Sequence, residues 1–185
     1  MKPWVKHLVV FLTTVVVLAG VLTPVFLSVY PALILNGAHK VVSTGAGRAQ
    51  VPDNTMYTVP ELASPESANG STWLLGGNQD GLYTVGWLDL SKGAQVLAIP
   101  EMGTRYHNVE LVASRSGIAI ANLKAAGQYV IEQAGASGVT VPPGAQLVDV
   151  PGKQVLVIGR TLVENDADLP VALALAQQIT VSPLR

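Results

Sequence analysis

The sequence predicts a mainly β protein: a sandwich or jelly-roll-like antiparallel domain with one short C-terminal helix, preceded by one N-terminal transmembrane helix. Three observations lead to this fold class. An uncharged apolar run lies near the N-terminus. Short segments in which apolar and polar residues alternate are separated by Gly and Pro, and an Ala- and Leu-rich segment lies near the C-terminus. Short strands at regular spacing are typical of such β domains. We divide the chain into an N-terminal tail (1–7), a transmembrane helix (8–35), a linker with an irregular first layer (36–70) and a β domain (71–185).

The N-terminal apolar run extends from Leu8 to Ala38 without a charged residue. About 20 apolar residues suffice for a helix to cross a bilayer core, and a single segment in lipid satisfies its backbone only as a helix. We expect Pro31 and Asn36-Gly37 to end this helix. A cleaved signal peptide is the alternative, but its apolar region is shorter, about 7–15 residues. The sequence therefore favours an uncleaved anchor that contacts membrane lipid, with the short tail inside and the β domain outside the cytoplasm.

The charge of the remaining chain is mildly acidic. Residues 41–185 hold eight basic and twelve acidic residues, a net charge near −4. This balance, without a basic patch, argues against nucleic acid as a partner and gives no electrostatic reason to lie on anionic lipid. The chain has no cysteine, which excludes disulfides, thiolate nucleophiles and iron–sulfur clusters.

The segment from residue 36 to residue 70 has the Gly, Pro, Ser and Asn content of a linker. Met56–Val59 is a candidate edge strand within it, and Ser71–Leu75 is a better strand candidate. Further strands are predicted from alternation and turn residues: Leu82–Leu90, Gln95–Ile99, Arg105–Ala113, Gly117–Asn122, Gln128–Glu132, Val139–Pro143, Gln146–Val150 and Gln154–Gly159.

The C-terminal segment Leu169–Gln178 predicts a short helix because Ala, Leu and Gln favour this conformation. Asp166 or Asp168 is placed to cap it, and Pro170 suits a first turn. Its apolar residues recur at helical spacing, so we expect the helix to pack on the sheet.

One group of polar and aromatic residues carries a family resemblance. Its members are Asn78, Asp80, Leu82, Tyr83, Trp87, Asp89, Leu90, Arg105, Tyr106, Gly159 and Arg160. Over residues 75–184 the chain resembles the bacterial family catalogued as domain of unknown function 1254, which has no agreed chemistry. The resemblance implies a bacterial envelope protein in the cytoplasmic (inner) membrane.

Many relatives in that family continue from a Pro-Leu like Pro183-Leu184 into a second β domain, domain of unknown function 1214. The chain resembles a stand-alone, membrane-anchored form without that second domain. The resemblance therefore implies a possible partner, a second envelope protein that supplies the missing domain.

The candidate pocket or structural network consists of Asn78, Asp80, Tyr83, Trp87, Asp89, Arg105, Tyr106, His107 and Arg160. Arginine pairs bidentately with carboxylates, so Arg105 and Arg160 are natural partners for Asp80 and Asp89 in a structural lattice. The other interpretation is a polar pocket. Asp80 and Asp89 lie nine residues apart, which on one strand is too far for the two carboxylates to share a substrate bond.

The most favoured function is a binding or assembly role of the β domain, and no cofactor is expected. The alternative is an envelope enzyme, a hydrolase or lyase acting on carbohydrate or ester, with Asp80, Arg105 and His107 in its site. Two of the three histidines flank the membrane helix, so a metal site is not expected. An enzyme needs these side chains in a concave pocket, whereas a structural network buries them in pairs.

Overall fold

The computed structural model describes residues 2–44, 50–62, 80–136 and 138–184, and it confirms the predicted fold class. A long helix, α1, precedes two packed β-sheets, and a short helix, α2, lies near the C-terminus. The elements are α1 (Pro3–Thr44), β1 (Tyr57–Thr58), β2 (Gly81–Asp89), β3 (Gln95–Ile99), β4 (His107–Ala113), β5 (Ala119–Leu123), β6 (Gly127–Gln133), β7 (Gln146–Val150), β8 (Gln154–Leu162), α2 (Leu169–Ala176) and β9 (Thr180–Pro183).

The strands form two sheets that enclose one core. Sheet A has the order β1-β2-β8-β4-β5, and sheet B has the order β7-β6-β3-β9. The central core cluster joins both sheets and includes Leu88, Leu97, Leu111, Ile131 and Val157, each with no exposed surface. Alternation along the strands places these side chains inside.

One strand pair departs from the antiparallel arrangement. β6 and β7 are parallel, and parallel neighbours need a crossover connection of about a dozen residues. Residues 134–145 supply that connection. This explains why the predicted strand Val139–Pro143 is wrong: the segment has no strand conformation, and Pro142 and Pro143 have no N–H to donate to a ladder.

Other strand predictions are confirmed with shifted ends. β8 continues beyond the predicted end at Gly159 to Leu162, and β9 is a strand that the sequence pattern did not predict. β9 pairs with β3, with Leu97 opposite Val181. The predicted strand Ser71–Leu75 lies outside the described residues.

Helix α1 is longer than predicted. It runs for 42 residues to Thr44, so the prediction that Pro31 and Asn36-Gly37 end it is wrong. A proline within a helix removes only one intrahelical hydrogen bond. Here the following turns are held by packing, since Leu35 and Ala38 are buried against sheet A.

The first part of α1 has the length and composition of a membrane span. Its most apolar 18-residue window has a mean hydropathy of 2.5 and no buried residue. A signal sequence meets the same criteria. Large apolar side chains from Leu8 to Leu33 are exposed along this part.

Helix α2 confirms the predicted C-terminal helix. It is preceded by a 3₁₀ turn at Asp166–Asp168, and Ala172 and Ala176 are buried against sheet A. The capping prediction is confirmed in position only: Asp168 is the N-cap residue of α2, but its side chain makes no capping hydrogen bond, and the side-chain cap is made by Asn165 at the start of the 3₁₀ turn. The side chain of Asn165 accepts hydrogen bonds from the backbone N–H groups of Ala167 and Asp168. The Asp168 carboxylate has a different role, described below.

Candidate functional site

The candidate residues are distributed between the two ends of the sandwich. The proximal end carries the β2–β3, β4–β5 and β7–β8 turns, and the distal end carries the β3–β4 loop and the loop before α2. Asp80 lies at the distal start of β2 and Asp89 at its proximal end. At about 3.3 Å per residue their backbones are roughly 30 Å apart. They therefore belong to two separate environments.

At the distal end, Arg105 pairs with Asp168. Its Nη1 and Nη2 donate to the two carboxylate oxygens at 2.5 and 2.7 Å, and Nη1 also donates to the Leu162 carbonyl at 2.7 Å. The side chains are only 12% and 15% exposed. The hydrogen bonds from Arg105 lower the pKa of Asp168 to about 2, and the carboxylate raises the pKa of Arg105. Arg105 thus has a bidentate carboxylate partner, but this partner is neither Asp80 nor Asp89.

His107 is the first residue of β4, two positions after Arg105, and its side chain points towards the interior. Its Nδ1 lies 3.1 Å from the backbone carbonyl of Arg105. Its Nε2 is buried, with no hydrogen-bond partner among the residues that the structure describes. A general base must reach the proton that it removes. With one nitrogen occupied and the other buried, the ring is not presented to a substrate in this conformation.

Tyr83 and Arg160 are neighbours on adjacent strands of sheet A. The guanidinium carbon of Arg160 lies 5.7 Å from the centroid of the Tyr83 ring, which is a cation–π arrangement. Tyr83 is buried, whereas Arg160 is exposed. Asp80 is exposed, and its backbone carbonyl accepts a hydrogen bond from Val163.

Trp87 is buried under helix α1 rather than in a pocket. Leu35 and Ala38 of the helix form one cluster with Trp87, Val112 and Leu156 of sheet A. This helix–sheet contact makes Trp87 a structural residue.

The ring of His39 extends this helix–sheet contact. Its centroid is 5.3 Å from that of Trp87, and its Nε2 is 2.5 Å from Oδ1 of Asp53. The last turns of α1 are therefore held by both apolar and polar contacts.

Asp89 organises the proximal β2–β3 turn. Its carboxylate accepts the backbone N–H of Ser91 at 2.9 Å. That hydrogen bond, together with the Ser91 hydroxyl and the charges of Lys92 and Lys153, lowers the pKa of Asp89. The backbone of Asp89 also exchanges two hydrogen bonds with the side chain of Asn54.

A wide groove lies between α1 and the proximal turns, with a volume of about 1060 Å³. The helix contributes small residues, Ser28, Ala32 and Asn36. The charged residues of the lining are Asp89, Arg115 and Lys153. The groove lies at the opposite end of the sandwich from Arg105 and His107. Sequence patterns did not predict it, because it depends on how the helix packs against the sheet.

Two candidate residues remain, Tyr106 and Asn78. Tyr106 is 57% exposed, and Asn78 lies outside the described residues. Within residues 2–44, 50–62, 80–136 and 138–184, no group of three His, Cys, Asp or Glu side chains is arranged to hold a metal ion. The residue that sequence reasoning missed is Asp168, which we considered only as a helix cap. The acidic Asn-Asp-Ala-Asp segment was the available signal.

The fold and the polar motif together define a β-sandwich domain with an N-terminal apolar helix. The chain belongs to the family described as "Protein of unknown function (DUF1254)", whose model matches residues 42–183. The predicted family membership is thereby confirmed, and the match begins at residue 42 rather than near residue 75.

Among solved structures, the crystal structure of the VPA0106 protein from Vibrio parahaemolyticus is similar to this chain. Its TM-score is 0.62 at 21% sequence identity, and the match covers 85% of this chain and 36% of that chain. At this identity the likeness shows the fold alone, and this chain spans little more than a third of that protein. A comparison with curated proteins found no match.

Proposed function

We propose that this protein is anchored in the bacterial inner membrane by α1 and that its extracytoplasmic β domain has a binding or assembly role. The observation that carries the anchor is the continuity of α1 from its exposed apolar part into the cluster with sheet A. Removal of the helix as a signal peptide would take away Leu35 and Ala38. It would leave Trp87 and Leu156 uncovered, and exposing such apolar surface to water is unfavourable.

A binding role is favoured over catalysis because the polar motif is used within the fold. Arg105 joins the start of β4 to the residues before α2, and His107 is turned inward. Asp80 is exposed and does not belong to this ion pair. Among the described residues, the engagement of Arg105 and His107 within the fold supports binding over reaction chemistry at this end.

The distal end offers a surface for a protein partner. Tyr106 and Val171 are 57% and 55% exposed, and they flank the Arg105–Asp168 pair in sequence. Tyrosine is enriched among the residues that dominate binding energy at interfaces. The proposed partner is a second envelope protein.

Two experiments test this proposal. Intact mass of the protein purified from membranes shows whether α1 is retained, and a reporter fused after Arg185 should be active outside the cytoplasm. A mature form that begins after Ala38 would contradict the anchor. A photocrosslinking residue at Tyr106 should capture one defined envelope protein in high yield, whereas the same residue at Gln128, exposed on sheet B, should not. Equal, diffuse labelling from both positions would contradict the assembly role.

A further inference from the structure

When α1 spans a bilayer, the length of its apolar part sets the distance between the hydrocarbon core and the proximal end of the β domain. The uncharged run begins at Leu8, and a hydrocarbon core of about 30 Å takes up roughly 20 residues at 1.5 Å each. The hydrocarbon core of the bilayer therefore ends near Leu27. Tyr30 follows immediately, in the headgroup region that tyrosine favours.

The β4–β5 turn is level with this boundary. A Cβ atom built on Gly117 would lie only 3.1 Å from the Cβ of Pro31. Pro31 is four residues beyond Leu27, or about 6 Å along the helix. Gly117 has a positive φ of 68°, a conformation that suits glycine and lets the turn approach the helix closely. The turn is thus within the lipid headgroup layer.

The charges of the β domain are distributed unevenly between its ends. The proximal turns carry three exposed cations, Lys92, Arg115 and Lys153. The distal end carries exposed carboxylates and two exposed cations: Asp80, Glu101, Glu164 and Asp166, and Lys124 and Arg160. The acidic average of the domain therefore conceals cationic tips on the three proximal turns, and the expectation from composition that nothing favours anionic lipid does not hold for these tips.

Four carboxylates also lie near the proximal end and offset part of this charge: Asp53 and Asp89 on the side of sheet A, and Glu132 and Asp149 on sheet B. They lie behind the tips of the three proximal turns, whose charged side chains are those of Lys92, Arg115 and Lys153. Asp89 is half-buried and accepts the Ser91 N–H. Asp149 lies on β7 in sheet B, whereas α1 packs on sheet A. Arg115 and Lys153 both line the groove beside the helix.

The same turn presents an apolar side chain. Ile118 is 67% exposed and follows Gly117 directly. An apolar residue next to exposed cations is a pattern of interfacial membrane contact, since burial in the acyl boundary and attraction to anionic lipid act together.

We propose that the proximal end of the β domain binds the headgroups of anionic phospholipids through Lys92, Arg115 and Lys153, with Ile118 inserted at the interface. This inference rests on the proposed function, because only a retained α1 brings this end to a bilayer. Arg115 supplies a planar donor group suited to phosphate oxygens.

The test uses the full chain in bilayer discs of phosphatidylcholine with 30% phosphatidylglycerol. Electron paramagnetic resonance of spin-labelled lipids measures the preference of the protein for phosphatidylglycerol over phosphatidylcholine. We expect about a threefold larger preference for the wild type than for the triple variant Lys92→Gln, Arg115→Gln, Lys153→Gln, because each cation near the surface adds attraction. High salt should reduce the difference.

Lys124→Gln is the matched control, since Lys124 is an exposed cation at the distal end, and it should keep the wild-type preference. A triple variant that melts like the wild type and keeps the full preference would overturn the inference. A preference seen in native membranes but lost in discs of the purified chain would indicate a protein ligand and would also overturn it. Loss of α1 from the purified protein, seen by intact mass, would instead overturn the proposed anchor.

Discussion

Arg105 binds Asp168 through two hydrogen bonds of 2.5 and 2.7 Å and so joins the start of β4 to the N-terminus of α2. The two residues are 63 positions apart in sequence. The pair is mostly shielded from water, with both side chains no more than 15% exposed. The pair therefore holds β4 and α2 together at the distal end of the sandwich.

The first prediction concerns the two arginines of the family motif. Arg105→Ala should lower the melting temperature by about 5 °C or more, because it removes the side-chain donor to the Leu162 carbonyl and leaves the Asp168 carboxylate with only the Glu164 N–H among its described donors. Arg105→Lys should rescue only part of this loss, since lysine lacks the planar fork.

Arg160→Ala is the matched comparison. Arg160 is exposed and stacks on Tyr83, and such exposed contacts contribute about 0.5–1 kcal/mol. Thermal unfolding followed by circular dichroism measures both variants. A larger loss in Arg160→Ala than in Arg105→Ala would contradict the structural role that we assign to Arg105.

The second prediction concerns acid stability. The pKa of Asp168 falls from its ordinary value of 3.8 to about 2 in the folded protein. A carboxyl with a depressed folded pKa stabilises the fold above its unfolded pKa, and this contribution is lost as the pH falls towards the folded pKa. The wild type should therefore lose stability between about pH 4 and pH 2. Asp168→Asn should be less stable at pH 6 and show a shallower decline in this window. Parallel stability profiles from pH 6 to pH 2 would contradict the assignment.

The third prediction concerns the contact between α1 and sheet A. Trp87 is 5% exposed within this contact, so Trp87→Ala should reduce the free energy of unfolding by about 3–5 kcal/mol. Trp4→Ala is the control, because Trp4 is 61% exposed near the N-terminus. Urea unfolding in mild detergent measures both variants. Equal effects would show that Trp87 is not a packing residue.

The sequence predicted what depends on local pattern. The alternation of Leu82–Leu90 and the turn residues Ser91-Lys92-Gly93 were sufficient to place β2 and β3, and the Ala- and Leu-rich segment was sufficient to place α2. Hydropathy located the apolar helix but not its end. The end depends on the contacts of Leu35 and Ala38 with a sheet whose strands come from distant parts of the chain.

The candidate site was predicted less well because residue type does not determine the partner. Arg105 was expected to bind a carboxylate, and it does, but the choice of Asp168 follows from the position of α2 beside β8. The cationic tips of the proximal turns were missed for a related reason. Lys92, Arg115 and Lys153 are far apart in sequence and meet only because three turns share one end of the sandwich.

The most direct test of the account is a cysteine crosslink between α1 and the β4–β5 turn. The chain has no cysteine of its own, so Pro31→Cys with Gly117→Cys introduces the only two thiols. Their Cβ positions are close enough for a disulfide after a small adjustment. Gly103 is the control for Gly117, because it also has a positive φ but no atom within 4 Å of its Cβ position.

After mild oxidation in native membranes, maleimide labelling of the denatured protein counts the free thiols. We predict that the Pro31–Gly117 pair is protected and that the Pro31–Gly103 pair is labelled at both thiols. Two free thiols in both variants, or a protein that lacks residue 31, would contradict the anchored and docked arrangement.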